Sequence, residues 1–336
     1  MAKKILITGA GGFIGGYIVE ESLRRGFETW AAVRGTTSRE YLTDARINFI
    51  ELDFSDENVL KSQLSNAITV NGKWDYVVHN LGATKCANFM DFNTINYLYL
   101  KRFVDALVAL DSVPEGFAMM SSLGAVGIGD ETNYTPLSSR NIPNPNTKYG
   151  LSKLKAETYL QSVANFPYII FRPTGVYGPR EKDYYIMINS ISKGINFNAG
   201  FKKQLLTFIY VKDLSCAILD ALEAGAKRKA YFIAEDKSYT PQEFCRIVSC
   251  AIGKRHVVSL TFPLWLVYLV SLIAEKWGTM RLKPSTLNRD KFNIMKQRNW
   301  TCDTSEAQKD FNFKVRYNLA DGIKESVDWY KENGWL

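Results

Sequence analysis

Only two histidines, His79 and His256, and five cysteines occur in the 336 residues. The cysteines (Cys86, Cys216, Cys245, Cys250, Cys302) contain no CxxC pair and cluster with neither histidine. No zinc or other metal site can be assembled from such a set. Their odd number and scatter argue against a disulfide framework and for a reducing, cytoplasmic compartment. No apolar run reaches the ~20 residues needed to span a bilayer. Ile5-Leu6-Ile7 is cut at once by Thr8-Gly9, too soon for the core of a signal peptide. There is no internal repeat, no low-complexity linker, and no contiguous basic run of the kind that grips nucleic acid.

What is present is ordinary globular material: 46% hydrophobic, 23% charged, net charge +8. The positive excess favours an anionic partner, either a phosphorylated cofactor or a membrane surface. The most apolar run, 262–274 (FPLWLVYLVSLIA), reads first as a buried helix or pocket wall. A second reading is peripheral contact with a membrane. Lys276, Arg281 and Lys283 follow the run, and Trp265, Tyr268 and Trp277 suit a lipid boundary.

Short apolar runs alternate with longer amphipathic ones through the first half. Strands are expected at 4–8, 29–34, 48–52, 76–79, 117–121 and 168–172, and helices at 12–25, 55–64, 94–110 and 148–163. Strands joined through helices imply right-handed crossovers and a doubly wound parallel sheet, with ligands at its carboxyl edge. Beyond Pro173 the pattern loosens. Helices are expected at 211–224 and 241–252, a strand at 230–234 and an amphipathic tail at 319–333. We divide the chain into a core, 1–175, and a smaller substrate lobe, 176–336, with some segments returning to the core.

Gly9, Gly12 and Gly15 follow the first strand and open the first helix. Gly9 suits a tight turn, Gly12 admits a pyrophosphate to the backbone, and Gly15 permits close helix–strand contact. The second strand ends at Val33-Arg34. An acid there would bind the ribose of NAD, whereas Arg34, with Thr36, Thr37, Ser38 and Arg39 nearby, attracts a 2′-phosphate. NADP is therefore favoured over NAD, unless Arg34 stacks on adenine or faces solvent. Asp53 is placed either to accept from the adenine amino group or to close a turn. Phe13, Ile14, Phe54 and Leu81 complete the cofactor set.

Tyr149 and Lys153 stand four apart, on one face of a helix. An ammonium stabilises tyrosinate and lowers the phenol pKa, which equips Tyr149 to exchange a proton with an alkoxide. Ser122, at the end of the fifth strand, is the hydroxyl chosen to hold the substrate oxygen. Ser121 is the fallback, since strand alternation sends the two to opposite faces. Asn96 either anchors a water or lies on a helix surface. His79 reads as packing.

Together these motifs resemble the extended short-chain dehydrogenase/reductase family. The resemblance includes Thr8-Gly9-x-x-Gly12-x-x-Gly15, Ser122 and Tyr149-x-x-x-Lys153. It continues through Arg172-Pro173-Thr174-Gly175-Val176-Tyr177-Gly178-Pro179-Arg180 and Tyr210-Val211-Lys212-Asp213 to Asp328-Trp329-Tyr330. It implies a Rossmann-type core and a catalytic triad of Ser122, Tyr149 and Lys153. Lys153 would also reach the nicotinamide ribose, with Pro173 and Val176 near the nicotinamide. It further implies a homodimer through the helices carrying Asn96 and Tyr149.

Many nucleotide-sugar members carry a diphosphate-binding arginine where this sequence has Leu206. Lys202, Lys203 and Arg180 remain as substitutes. Val33-Arg34 resembles the dihydroflavonol-reductase-like members, and Trp300-Thr301-Cys302-Asp303 the 3β-hydroxysteroid-dehydrogenase-like ones. Leu123-Gly124-Ala125 offers none of the carboxylates that dehydratases place there. The leading expectation is an NADP-dependent oxidoreductase acting on a ketone or secondary alcohol of a small apolar substrate. The alternative is a nucleotide-sugar epimerase or dehydratase with tightly bound NAD. A cofactor-binding protein without turnover is the third reading, and the intact Ser122, Tyr149 and Lys153 count against it.

Overall fold

Apolar runs of four to six residues form the strands. In the computed structural model, which describes residues 2–86, 88–280 and 287–336, the first six are β1 (Lys4–Thr8), β2 (Glu28–Val33), β3 (Asn48–Glu51), β4 (Tyr76–His79), β5 (Gly116–Met120) and β6 (Tyr168–Pro173). Then come β7 (Gly175–Tyr177), β8 (Ile195–Ala199), β9 (Phe208–Tyr210), β10 (Lys229–Ile233) and β11 (Val258–Phe262). Seven of them make one sheet in the order β10-β6-β5-β4-β1-β2-β3. Every pairing in it is parallel. This is the Rossmann-type strand order with one strand added, and the direction of winding reverses between β1 and β4.

The helices are α1 (Phe13–Arg24), α2 (Glu57–Asn71), α3 (Met90–Asn93), α4 (Tyr99–Ala109), α5 (Lys148–Ser162), α6 (Lys182–Ser192), α7 (Val211–Glu223), α8 (Pro241–Ile252), α9 (Leu264–Met280), α10 (Arg289–Met295), α11 (Ser305–Phe311) and α12 (Leu319–Glu332). Side-chain alternation sorts the sheet into two apolar faces, because helices cover both. Ile5, Ile7, Val33, Val78 and Phe171 pack with residues of α1, α7 and α11. Leu6, Ala32, Val77, Met119 and Ile170 pack with α2, α4 and α5. β10, α7 and α11 thus return to the sheet from the second half of the chain. The smaller lobe has its own aromatic-rich core, in which Tyr177, Phe208, Tyr210 and Phe244 meet Ile323, Val327 and Tyr330 of α12.

Three expectations are corrected. The second helix starts at Asp56, whose carboxylate caps it by accepting from the N–H groups of Asn58 and Val59, and it runs to Asn71 rather than ending at 64. The helix expected at 94–110 begins at Met90 and passes through a π turn, Thr94–Leu98, before α4. The run 262–274 is not a buried helix. It is the last residue of β11 followed by Pro263 and the start of α9, and among the described side chains of α9 only Ser271 is buried. Arg281 and Lys283 lie outside the described residues.

One polar cluster lies inside the core. Glu157 of α5 is 1% exposed and pairs with Arg172 of β6, Nη2 to Oε2 at 2.6 Å. Ser121 donates its hydroxyl to the same carboxylate. Removing one member of a buried pair leaves the other uncompensated, at a cost of about 3–5 kcal/mol. Glu157→Ala is therefore expected to lower unfolding stability by roughly that amount, measured by denaturant titration. A change within ~0.5 kcal/mol, the range of an ordinary surface substitution, would show that the pair does not hold α5 to the sheet.

Candidate active site

The carboxyl ends of the strands bring the motifs to one edge. Thr8 lies opposite His79 across the β1–β4 pairing, where the winding reverses. The Thr8 Oγ1 is 3.1 Å from His79 Nδ1 and accepts from the Leu81 N–H at 3.2 Å. This ties the loop after β4 to the glycine turn. His79 packs in a triangle with Phe103 and Phe117, 5.6 and 6.1 Å from their ring centroids. Burial pushes its pKa down to about 3, so it is a neutral packing residue.

The glycine turn has little room for side chains. Gly9 has φ +67°, and a Cβ there would stand 2.9 Å from the Asn80 carbonyl. A Cβ at Gly15 would lie 2.1 Å from the Gly9 oxygen, so helix α1 meets the turn backbone to backbone. Gly12 caps α1 with no side-chain hydrogen bond, and no acidic residue occupies the first turn. By contrast, α2, α5, α8 and α12 all have capping side chains. The Gly12 N–H donates to the Gly9 carbonyl at 3.0 Å and closes the turn, and the amides that follow, of Phe13, Ile14 and Gly15, are left for an anion and fit the pyrophosphate of a dinucleotide.

Arg34 is exposed after β2. Its loop is closed by two bonds with Thr37, from Arg34 N to the Thr37 hydroxyl and from Thr37 N to the Arg34 carbonyl, both 2.9 Å. Its guanidinium enters no ion pair among the described residues. Arg39 instead lies over the Phe49 ring, 4.4 Å from its centroid. Asp53 Oδ1 accepts from the N–H and hydroxyl of Ser55, at 2.8 and 2.6 Å. Those bonds hold its pKa below the usual range. One oxygen therefore closes a turn. The Phe54 ring is buried against His79, Tyr99 and Phe103, and its carbonyl accepts from Arg102 at 3.0 Å.

Asn96 is not on a helix surface. It is 2% exposed, on the π turn. Its amide donates to the Ala83 carbonyl (3.1 Å) and the Ser152 hydroxyl (2.9 Å), and its oxygen accepts from the Ala83 N–H at 2.8 Å. Both amide hydrogens are engaged, so its side chain braces loop 81–84 against α5. Gly82 sits where a Cβ would lie 2.9 Å from Lys153 Nζ and 3.0 Å from Asn96 Oδ1. A side chain at position 82 would have to displace the Lys153 ammonium or the Asn96 amide.

Ser122 and Ser121 part as strand alternation requires. Ser121 turns inward to Glu157. Ser122 lies beside Tyr149, and its oxygen accepts from the Gly124 N–H at 3.1 Å. That leaves the Ser122 proton for a neighbour. Burial raises the Tyr149 pKa, and the Ser122 hydroxyl pulls it back down. Phe92 presents an edge to the Tyr149 ring at 6.1 Å. Lys153 is 4% exposed and donates to the Met120 carbonyl at 2.8 Å. Burial lowers its pKa to about 8, opposed by Glu157 one turn away. Pro173 ends β6, with Val176 in β7 just beyond.

The sequence reading missed Asp290. This buried carboxylate of α10 accepts from the N–H groups of Lys148 and Tyr149, each at 3.0 Å, and so caps the catalytic-motif helix. Asp290 and Tyr149 are 141 positions apart, so no local signal joins them. Glu157 was also missed, although its place four residues after Lys153, on the same helix face, was a usable signal.

A doubly wound α/β fold with an open glycine turn and a serine–tyrosine–lysine cluster at the same sheet edge defines a dinucleotide-dependent oxidoreductase class. The model of the NAD dependent epimerase/dehydratase family matches residues 5–234, and the chain belongs to that family. It is an NAD(P)-dependent enzyme of the extended short-chain dehydrogenase/reductase type. The chain is 24% identical to sterol-4-alpha-carboxylate 3-dehydrogenase, decarboxylating, of Dictyostelium discoideum, over 96% of this chain and 99% of that one. It is 25% identical to UDP-glucose 4-epimerase of Vibrio cholerae, over 97% and 95%. The dTDP-glucose 4,6-dehydratase of Bacillus anthracis, solved in complex with NAD, superposes with a TM-score of 0.78 at 16% identity, over 100% and 98%.

Below about pH 8 the folded protein holds a buried Lys153 ammonium that the unfolded chain leaves in water. Between about 8 and 10.5 only the unfolded chain keeps that proton, so this contribution to stability rises with pH. In thermal melts without nucleotide, Lys153→Met is expected to be most favoured relative to wild type below pH 8. The difference should move towards wild type up to pH 10.5. A difference independent of pH would refute the desolvated ammonium.

Proposed function

We propose that the protein is an NADP-dependent oxidoreductase. It would move a hydride between the nicotinamide and a ketone or secondary alcohol of an apolar substrate. The observation that carries the apolar substrate is where the remaining cations stand. Arg180 is held between Tyr17 and Tyr41, 4.7 and 4.4 Å from their centroids, and pairs with Glu20 at 2.7 Å. Leu206 exchanges backbone hydrogen bonds with Tyr239 and packs into the lobe core. Lys203 stacks on Tyr134, and Lys202 is exposed beside it. None of these is arranged as a diphosphate clamp.

The cofactor would lie along the β1–β4 switch. Gly9, Gly12, Phe13, Ile14 and Gly15 would hold its pyrophosphate, and Arg34 its 2′-phosphate. Asp53 and Leu81 would flank the adenosine half, and Lys153, Pro173 and Val176 the nicotinamide half. When bound, the nicotinamide supplies or accepts the hydride. Tyr149 gives its proton to the substrate oxygen as that oxygen becomes an alkoxide, or removes it in the reverse direction. The Ser122 hydroxyl donates to the same oxygen and orients it. Lys153 offsets the burial that raises the Tyr149 pKa, because a nearby ammonium favours tyrosinate. Phe92 shields the phenol from water. A homodimer through α4 and α5 belongs to this reading, with Val108 and Leu151 exposed on those helices.

The second reading is a nucleotide-sugar epimerase or dehydratase that retains NAD. The Vibrio cholerae relative, aligned over nearly the whole chain, supports it. Two variants and one screen separate the readings. Arg34→Asp is expected to weaken NADPH binding on the order of tenfold to a hundredfold, the range of charge-assisted hydrogen bonds, with NADH unchanged or tighter. Tyr149→Phe should lower turnover of an apolar ketone about 10²–10⁴-fold with NADPH affinity intact, read by nicotinamide absorbance and fluorescence. Copurified NAD, thermal stabilisation by a UDP-sugar and silence towards steroids and flavonoid-like ketones would overturn the first reading.

A further inference from the structure

The apolar surface of the lobe points outward. Along α9, Trp265, Leu269 and Ile273 recur at helical spacing, and Trp265 and Ile273 are 64% and 65% exposed. The β8–β11 ribbon beside it is inverted. Asn196 is buried and donates to Ser259, while Phe197 and its register partner Leu260 face solvent. Phe197 stacks on Phe262 at 6.1 Å, and the Gly200 N–H donates to the Phe262 carbonyl. A Cβ at Gly200 would touch Leu264 at 3.2 Å, so ribbon, loop and helix are continuous. Phe201 extends the surface, 75% exposed.

Charge indicates what covers it. Segments 193–203 and 253–276 carry Lys193, Lys202, Lys203, Lys254, Arg255 and Lys276. Their only acid is Glu275, which is paired with Arg289 at 2.7 Å. A second copy of the chain on this face would set six cations against six. An anionic bilayer meets both the apolar side chains and their basic border. Among the described residues no helix is long and apolar enough to cross a membrane, so the helix would lie in the interface plane.

We propose that α9, the 200–203 loop and the β8–β11 ribbon form a docking face for an anionic lipid bilayer. The proposal does not depend on the substrate assigned above. Anchored to α10 through Arg289–Glu275 and the Tyr268–Phe292 ring contact at 5.2 Å, α9 is one helix from Asp290, which caps the Tyr149 helix. The docked face and the site edge thus share a short rigid link.

The test is flotation of the full-length protein with vesicles of phosphatidylcholine alone, or with phosphatidylglycerol admixed. We expect binding to the anionic vesicles that weakens with salt, and weak binding to phosphatidylcholine. Lys202→Gln with Lys203→Gln should weaken anionic binding on the order of tenfold. Trp265→Ser with Ile273→Ser should abolish it, with melting temperature and NADPH titration unchanged. Brominated lipid should quench tryptophan fluorescence in the native protein, and less in Trp265→Phe, which keeps the bulk of the helix face. No flotation, equal binding by the variants, or, in place of vesicle binding, a dimer that Trp265→Ser with Ile273→Ser dissociates would each overturn the proposal. The last would make the face a contact between copies.

Discussion

The arrangement at the sheet edge depends on how α5 is fixed to β5 and β6. The Glu157 carboxylate takes the Arg172 guanidinium and the Ser121 hydroxyl in a site closed to water. One turn earlier, Lys153 reaches the Met120 carbonyl at the end of β5. One turn earlier again stands Tyr149, its backbone held by Asp290. Three successive turns of one helix are thus bonded at every level, and the phenol has a fixed place against Ser122. In a closed core such bonds are strong, and a missing partner is costly. The helix therefore cannot slide to another register without orphaning several groups.

The same cluster separates two buried cations. Arg172 has a carboxylate in contact. Lys153 has only a carbonyl in contact, with Glu157 one turn further, and desolvation dominates. An ammonium whose pKa lies near 8 can respond to whatever charge arrives beside it. A fully paired lysine would be inert. Ser121 and Ser122 divide the work in a similar way. The first completes the structural cluster, and the second keeps a free proton at the crevice.

Much of this was readable from local patterns. Strand periodicity gave β1 and β4 to the residue, because parallel strands covered on both faces are continuous apolar runs. The glycine turn and Tyr149–Lys153 were readable because their spacing is short. What was not readable was long-range. Asp290 lies 141 positions from the backbone it caps. The strands β7 and β9, three residues each, are too short to show a period, and β8 buries Asn196 while exposing Phe197, so its pattern is inverted. The π turn carries Asn96, whose side chain bonds inward to Ala83 and Ser152. Asp53 closes a turn through Oδ1, as one of its two readings had it.

The error over residues 262–274 is the most informative, because hydropathy reports what a segment is and not what covers it. A helix as apolar as α9 normally implies burial in the protein core. Here the neighbouring ribbon buries its polar Asn196 and exposes Phe197 and Leu260, so two adjacent elements are inverted in the same sense. Two coincident inversions would cost solubility with no return if this face met only water. Under the docking proposed above, the acid-poor border would supply the missing term, by opposing self-association and favouring an anionic apolar phase. The fold thus carries its dinucleotide crevice on the sheet edge and an apolar, basic face on the lobe, with α10 between them.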